Sequence, residues 1–575
     1  MTATPRDVGV VLGLCAYTHD SAAALLVDGR LVGFVEEERL DGVKHSKAYP
    51  VNAVAWLLGT AGLSPEDVTA VGYNFDGRRY LSALGQLPAH LRRSATRTRA
   101  LPRARSFTTV HRRYQARMRD LSQRFPNAHL QPVLHHRAHA LYSFLSAGVD
   151  DAAVLIVDSL GELQATTTWH ARRRGDSQLG LDLVHAINDP ASLGYAYGAV
   201  TEHLGWRRGD EEGTVMALAA LGHPDRFRDV MSRAIRLTAD GFTLDPTLLA
   251  LRVLSSRHGR VTPAFTTATC PPRPPDAPVE PVHADLAAAL QERTEQVMLH
   301  LATRARRLTG SGLLCLGGGV AMNCVAAGLI AQAGIFDELH VPPAPGDSGT
   351  AIGAAAAVWR DGTGHLPTNV GHRCYLGPTY PRPRITAVSR PGLRASRPAD
   401  PVQRLARSLA DGAIVGLFTG ELEAGPRALG HRSILASPLE ADVIERLNAT
   451  VKFREPFRPF APVMLADKAA DYVRMRQPSP YMSFAAPVTD LARDRVPAIV
   501  HANGTTRVQT ITREQHPFLA DVLTAFGEIT GHPVLINTSL NIKGKPICGT
   551  PDMALDCLVE SGLDALLLEE WWVTK

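Results

Sequence analysis

The apolar run Ala152-Ala153-Val154-Leu155-Ile156-Val157 ends in Asp158, and no other junction constrains the fold of this chain as strongly. The run reads as a strand, and a carboxylate at its end is not placed there for packing. Shortly before it, Leu134-His135-His136-Arg137-Ala138-His139-Ala140 sets His135 and His139 four residues apart. On a helix that spacing puts both rings on one face. Two neutral imidazoles make half of a transition-metal site, and Asp158 can add an oxygen ligand. His136 and its neighbours read equally well as satisfied core or surface histidines.

The strand belongs to a larger pattern. Residues 8–17, 21–27 and 31–37 read as three strands, the last two joined by a tight Asp28-Gly29 turn. The polar loop Tyr17-Thr18-His19-Asp20-Ser21 separates the first two, at the place where actin-like and sugar-kinase-like ATPase folds handle phosphate. The pattern returns at residues 152–158 and 165–170, which predicts two related α/β halves closing on a cleft. Ser159-Leu160-Gly161-Glu162 would then face the loop after Tyr17. Residues 51–63 and 283–308 have helical periodicity, and residues 210–219 read as a loop entering a helix. Residues 313–316 form a strand running into Gly317-Gly318-Gly319 and Asn323, where glycines and a helix N-terminus suit a nucleotide phosphate. The rigid turn at 341–349 presents Asp347, as a fourth protein ligand or as an N-cap.

Composition narrows the function classes. A chain of 575 residues has room for two or more domains, and 61 basic against 56 acidic residues, a net +5, does not mark a nucleic-acid binder. The seven cysteines are scattered with no C-x-x-C spacing, so neither a zinc ribbon nor a disulfide framework is expected. The N-terminus reads as a strand rather than a signal peptide, and no apolar run approaches a bilayer's width, so a cytoplasmic protein is expected. Only seven lysines occur, and a lysine retained where arginine is the default cation points to a need for a compact ammonium. Two of these are Lys44 and Lys452. Eleven arginines crowd residues 92–124; a solvated helical face explains them as well as an anionic ligand or nucleic acid, because few aromatics are interleaved.

Residues 369–384, rich in proline and glycine, read as a linker. Beyond them the pattern is mixed α and β: a strand at 413–418, and a polar loop with a helix start at 423–433 that includes Arg427 and Ser433. Proline and phenylalanine stiffen residues 452–462 while Lys452, Arg454 and Arg458 project from them. Arg507, the strand at 534–537 opening into Thr538 and Ser539, and Lys543 and Lys545 add further donors. Together they suggest a polyanion site.

With these motifs in order, the chain resembles the NodU/CmcH type of ATP-dependent O-carbamoyltransferase over nearly its whole length. The resemblance rests on His19-Asp20-Ser21-Ala22-Ala23, Glu36 to Arg39 with Lys44-His45, and the 134–140 and 157–162 stretches. It continues through 317–323, 342–349, 423–433, 454–462 and 536–541. It implies an actin/sugar-kinase-like, TsaD-like duplicated α/β domain at 1–368 and, after the 369–384 linker, a YrdC-like α/β domain at 385–575. The second would make carbamoyl-adenylate from carbamoyl phosphate and ATP with Mg(II), and the first would pass the carbamoyl group to an acceptor hydroxyl. By the same resemblance His135, His139, Asp158 and Asp347 would hold a divalent metal, Fe(II) first, with His19 as general base. Gly318, Gly319 and Asn323 would contact the nucleotide, with Arg427, Ser433, Thr538 and Ser539 as further nucleotide contacts. Lys452, Arg454 and Arg507 would bind carbamoyl phosphate, and Lys452 and Arg507 would offset charge as pyrophosphate leaves. Lys44 and Thr214 are additional candidates.

The chain departs from the family's usual pattern at Ser159, at Thr214 where a lysine is common, and at Lys545 where a glutamate is common. A fused tRNA threonylcarbamoylation enzyme is the second enzyme reading, and it lacks a broad basic surface signal outside 92–124. Hydrogenase-maturation carbamoyltransferases carry zinc-finger cysteines that this chain lacks. A non-catalytic nucleotide-binding protein is the remaining class. The expected partners are small molecules, with no membrane and no nucleic acid. The favoured acceptor is an antibiotic-type natural product, a polyketide macrolide or macrolactam before an aminoglycoside or cephem.

Overall fold

Strands β1 (Val10–Cys15) and β2 (Ala22–Val27) are buried along almost their full length, so helices must cover both faces of their sheet. The computed structural model describes residues 9–174, 178–255, 257–380 and 390–575. With β3 (Arg30–Glu36), β4 (Ala70–Tyr73) and β5 (His129–Pro132) they form a sheet of order β3-β2-β1-β4-β5. The first three strands are antiparallel, and β1, β4 and β5 run parallel.

A second sheet repeats that plan. It comprises β6 (Asp151–Gly161), β7 (Gln164–Arg174) and β8 (Gln178–Asn188), and, beyond a small ribbon of β9 (Ile235–Thr238) and β10 (Gly241–Leu244), β11 (Leu313–Gly317) and β12 (Glu338–His340). Read outward from the third strand, its order is again third, second, first, fourth, fifth, with the same parallel and antiparallel pairings. The chain therefore contains the duplicated α/β unit that the repeat in the sequence predicts.

The helix Thr350–Thr363 joins the two halves, and its small residues allow close approach. A Cβ on Gly13 of β1 would fall 2.0 Å from the Ala351 carbonyl oxygen, and one on Gly353 would fall 1.9 Å from that of Ala138. The helix is thus pressed between β1 and the helix His135–Ala147. Asp347, three residues before it, is delivered to the histidine face by this contact.

The C-terminal part is one mixed sheet in line with the expected YrdC-like unit. Its strands are β13 (Arg394–Ser396), β14 (Val415–Phe418), β15 (Arg432–Ala436), β16 (Ala461–Leu465), β17 (Phe484–Pro487), β18 (Thr505–Ile511), β19 (Val534–Ser539), β20 (Ala565–Leu568) and β21 (Trp571–Thr574). They lie in the order β13-β21-β20-β14-β15-β19-β16-β18-β17. Buried polar contacts tie this sheet's loops to the first unit: Gly425 N donates to Glu36 Oε1 at 2.8 Å, and Arg39 donates to Gly425 O at 2.7 Å.

Two expectations need correction. Asp158 does not end its strand: β6 runs on to Gly161, and its pairing with β7 breaks register between Val157 and Gly161, which turns Asp158 out of the ladder. Ser433 does not open a helix. Residues 432–436 are all buried and pair with β14 and β19 as a strand, because an apolar Ile-Leu-Ala core position outweighs the polar start. Of the linker, residues 381–384 lie outside the described residues, and so do 385–389 at the start of the expected second domain. Among the described residues, no helix is long and apolar enough to cross a membrane.

Candidate functional site

The helix His135–Ala147 starts under a buried carboxylate. Glu162 Oε1 accepts from His135 N at 3.2 Å and from Asp76 N at 2.9 Å, filling the role of a helix cap. His135 stacks on Phe75 with ring centroids 4.3 Å apart, and its Nδ1 meets the Asn74 carbonyl oxygen at 3.3 Å. That contact occupies one ring nitrogen and leaves Nε2 to face inward. One turn later, His139 Nε2 lies 3.2 Å from His135 Nε2. Asp158 Oδ2 and Asp347 Oδ1 each stand 3.4 Å from His135 Nε2, and Asp347 Oδ1 is 3.7 Å from His139 Nε2. All four donor atoms lie within 4.8 Å of one another, and all four side chains are buried or nearly so. Two imidazoles and two carboxylates converging with inward lone pairs are the donor chemistry of a divalent-cation site. His136 lies outside it: its Nδ1 pairs with Thr167 Oγ1, and burial pushes its imidazole down to about 3.

His19 approaches this cluster from the β1–β2 loop, its Nε2 3.9 Å from Asp347 Oδ2. Its Nδ1 pairs with Asp20 at 2.9 Å. Burial alone would lower its pKa, but Asp347 and Asp20 outweigh that and hold it at about 9. Asp20 in turn meets His45 Nδ1 at 2.6 Å, and His45 Nε2 meets Asp210 at 2.8 Å. Lys44 and Arg207 both pair with Asp210, at 2.5 and 2.6 Å. Tyr17, Asp20 and His45 all have positive φ, between 55° and 62°, so backbone strain gathers in this loop pair. Lys44 was legible as a retained lysine. Its neighbour His45 was visible only as part of the Lys44-His45 motif, and the partnership of both with Asp210 was not, because nothing in sequence spacing links positions 165 residues apart.

The glycine turn sits at the rim of the cluster. Gly319 N donates to Asp158 Oδ1 at 3.1 Å, and Gly318 takes φ 87° with its N–H on Pro345 O at 2.9 Å. Asn323 caps the next helix, accepting from Ala326 N at 3.1 Å, and its amide pairs with Gln291. Thr214 is buried with its hydroxyl unpaired among the described residues.

Cations gather in the C-terminal unit. Lys452 closes a π-helical turn, Leu447–Lys452, after which Phe453 adopts φ 47°. The Lys452 Nζ donates to Asn541 Oδ1 at 2.8 Å, to Asn541 O at 3.1 Å, and to the hydroxyl and carbonyl of Ser539. All these acceptors are neutral. Burial, with repulsion from Arg454, pushes the ammonium down to about 7. Burial and then Arg507 push Arg427 down to about 9, and burial with Arg458 and Arg507 lowers Arg454. Arg454 lies over Phe460 and donates to Asn448 Oδ1 at 2.8 Å. Arg507, on β18, has a buried Nε with no partner among the described residues. The nearest carboxylate to Arg458 is Glu455 at 3.9 Å, and Glu455 also accepts from Trp206 Nε1 at 3.4 Å, a contact from the N-terminal unit. Ser433 is buried and accepts from Gly430 N, while Thr538 is half-buried and pairs through β19 with Ile434. The structure thus gathers Lys452, Arg454, Arg427, Arg507 and Ser539 in one region and gives Ser433 a turn-holding role.

The carbamoyltransferase N-terminus family matches residues 10–356, and the carbamoyltransferase C-terminus family matches residues 406–575. An uncharacterized protein of Synechocystis is 34% identical over 98% of this chain and 96% of its own length. Nodulation protein NolNO of Sinorhizobium fredii is 30% identical over 97% of this chain and 79% of its own. Among solved structures, HypF of T. kodakarensis aligns at 14% identity over 62% of this chain and 48% of its own, with a TM-score of 0.28.

Proposed function

The chain belongs to the carbamoyltransferase family, and we propose that it makes carbamoyl-adenylate at the Lys452 region and transfers the carbamoyl group to a hydroxyl at the His135 region. In this reading residues 385–575 form the adenylate and residues 1–368 perform the transfer. Water, carbamoyl phosphate and ATP give carbamoyl-adenylate, phosphate and pyrophosphate. Water bonds to the carbamoyl carbon as its bond to phosphate breaks, giving carbamate and phosphate; a carbamate oxygen then bonds to the α-phosphorus as the bond to the β-phosphate bridge breaks. Lys452, Arg454, Arg427 and Arg507 bind the phosphates and offset the charge on departing pyrophosphate. The acceptor hydroxyl then bonds to the carbamoyl carbon, the bond to AMP breaks, and His19 in its neutral form takes the hydroxyl proton.

His135, His139, Asp158 and Asp347 would hold a divalent metal, Fe(II) by family resemblance. Bound there, it would supply Lewis-acid charge toward the adenylate phosphate and the carbamoyl carbonyl. Gly318, Gly319 and Asn323 would place the nucleotide beside it.

One observation carries this reading. The cations around Lys452 are buried against neutral acceptors and one another, with burial and mutual repulsion lowering Lys452, Arg427 and Arg454, so they are poised for an anionic ligand. The favoured acceptor remains a polyketide macrolide or macrolactam. Around His19 the carboxylates Asp20 and Asp210 are already paired with His45, Lys44 and Arg207, which leaves them little to offer a polycationic aminoglycoside.

The test is release of pyrophosphate and AMP from ATP plus carbamoyl phosphate in wild type, Lys452→Ala and His139→Ala. The expected result is pyrophosphate lost in Lys452→Ala, kept in His139→Ala, and carbamoylated product absent from both. Wild type without carbamoyl-phosphate-dependent pyrophosphate, metal supplied, would sink the proposal.

A further inference from the structure

Between residues 77 and 119 the chain has twelve arginines and no aspartate or glutamate, although it carries 56 acidic residues against 61 basic ones overall. The segment folds as a turn, Arg79–Gln86, a short helix, Leu87–Arg92, and a 31-residue helix, Ser94–Arg124. One side of the long helix is buried through Ala100, Phe107, Tyr114 and Leu121. Five of its arginines serve the fold: Arg103 pairs with Asp189 at 2.6 Å, Arg117 donates to Tyr17 O at 2.8 Å, and Arg97, Arg99 and Arg124 are engaged by Leu91, Leu251 and Asp120. Arg92, Arg93, Arg105, Arg112, Arg113 and Arg119 are exposed, and their side chains have no ion pair or hydrogen bond among the described residues.

Arg105, Arg112 and Arg119 are seven residues apart, two helical turns or about 10.5 Å. They form one nearly straight row, with Leu101, 51% exposed, at its head and exposed Ala116 within it. We propose that this face docks an acidic helix of a partner protein. A helix laid alongside presents its own carboxylates at the same two-turn interval, so each arginine meets one. Arginine is also among the residues enriched in protein interfaces.

Other anionic partners fit less well. The helix is embedded along one side and cannot enter a major groove. Phe107 and Tyr114 point into the core, leaving no aromatic platform on this helix for single strands. Its apolar side is spent on the protein's own core, so little remains for insertion into lipid. Arg117 of the same helix donates to the backbone of the loop that carries His19, which ties this helix to that loop. That such a partner carries the acceptor rests on the proposed function; the docking does not.

The experiment uses the full chain and a synthetic helical peptide of about four heptads with one glutamate per heptad on a single face. Duplex DNA and phosphatidylglycerol vesicles serve as competing probes. The peptide is expected to bind, and the triple variant Arg105→Glu, Arg112→Glu, Arg119→Glu to bind it at least about tenfold more weakly. A lysine-for-glutamate peptide is expected to recover binding to the triple variant and not to wild type. Carbamoyl transfer to a free acceptor stays unchanged in the variant, which separates failure of docking from failure of the catalytic reading. No peptide binding, binding indifferent to charge reversal, or tighter binding of DNA or vesicles lost in the same variant would each overturn the proposal.

Discussion

His135 and His139 face each other across one helical turn with their Nε2 atoms 3.2 Å apart. Two lone pairs so close repel unless a proton or a cation lies against them, and Asp158 and Asp347 supply compensating negative charge. Wild type is therefore expected to bind one Co(II) or Fe(II) per chain, and metal at a hundredfold excess over Kd to add about 2.7 kcal/mol to stability. His135→Ala and Asp347→Asn are expected to lose both effects. Metal titration and thermal melts read this out, and a wild-type melt indifferent to metal would remove the site.

Glu162 supports that cluster without entering it. Its carboxylate accepts from the amides of His135 and Asp76, and burial pushes its pKa up to about 7. Glu162→Gln keeps a carbonyl oxygen and is expected to cost little. Glu162→Ala leaves buried N–H groups unmet, at about 1–3 kcal/mol each, and frees the start of the histidine helix. Metal affinity is expected to drop about 10–100-fold in the alanine variant. Urea midpoints and metal titrations on both variants decide this; unchanged metal affinity in Glu162→Ala would show that the cap does not hold the ligands.

Lys452 gives a pH signature with a definite sign. Its pKa is lowered by burial from 10.5 to about 7 in the folded chain. Between those values the unfolded chain binds the extra proton, so stability from this group rises with pH from about 7 to 10 and is flat below about 7. Lys452→Met removes this titrating group. The wild-type chain is expected to gain stability relative to Lys452→Met on going from pH 7 to pH 9, measured as the difference in urea midpoints. Parallel profiles for the two proteins would show that the ammonium is not held at depressed pKa.

Much of this architecture was legible because it is periodic. The apolar strands, the Asp28-Gly29 turn and the HxxxH spacing each follow from local chemistry, and so does the duplicated sheet. What escaped depends on contacts distant in sequence. The register break that frees Asp158 arises from pairing with β7, and residues 432–436 became a strand because β14 and β19 flank them. The link from His19 through Asp20 and His45 to Asp210 joins three loops, and no spacing rule connects them. Lys452 stood out by residue type, yet the carbonyl oxygens its ammonium donates to come from Ser539 and Asn541 nearly ninety residues away, and its pKa is depressed by burial and by Arg454.

The glycine turn separates backbone need from ligand approach. Gly318 has φ 87°, and a Cβ there would fall 2.4 Å from the Val157 carbonyl oxygen. Gly318→Ala is therefore expected to destabilise the chain by about 1–3 kcal/mol through strain, and to disturb Asp158 through the next amide. Gly319 is different: its φ is ordinary, and a Cβ would meet Asp158 Oδ1 alone, at 3.1 Å. Gly319→Ala is expected to keep stability within about 1 kcal/mol while filling the space where a nucleotide would approach. Calorimetry of an ATP analogue with each variant, beside urea denaturation, tests the distinction. Weakened nucleotide binding in a stable Gly319→Ala protein supports nucleotide contact at this turn. A stable Gly319→Ala protein that binds the analogue as wild type does would leave the glycines with a purely structural role.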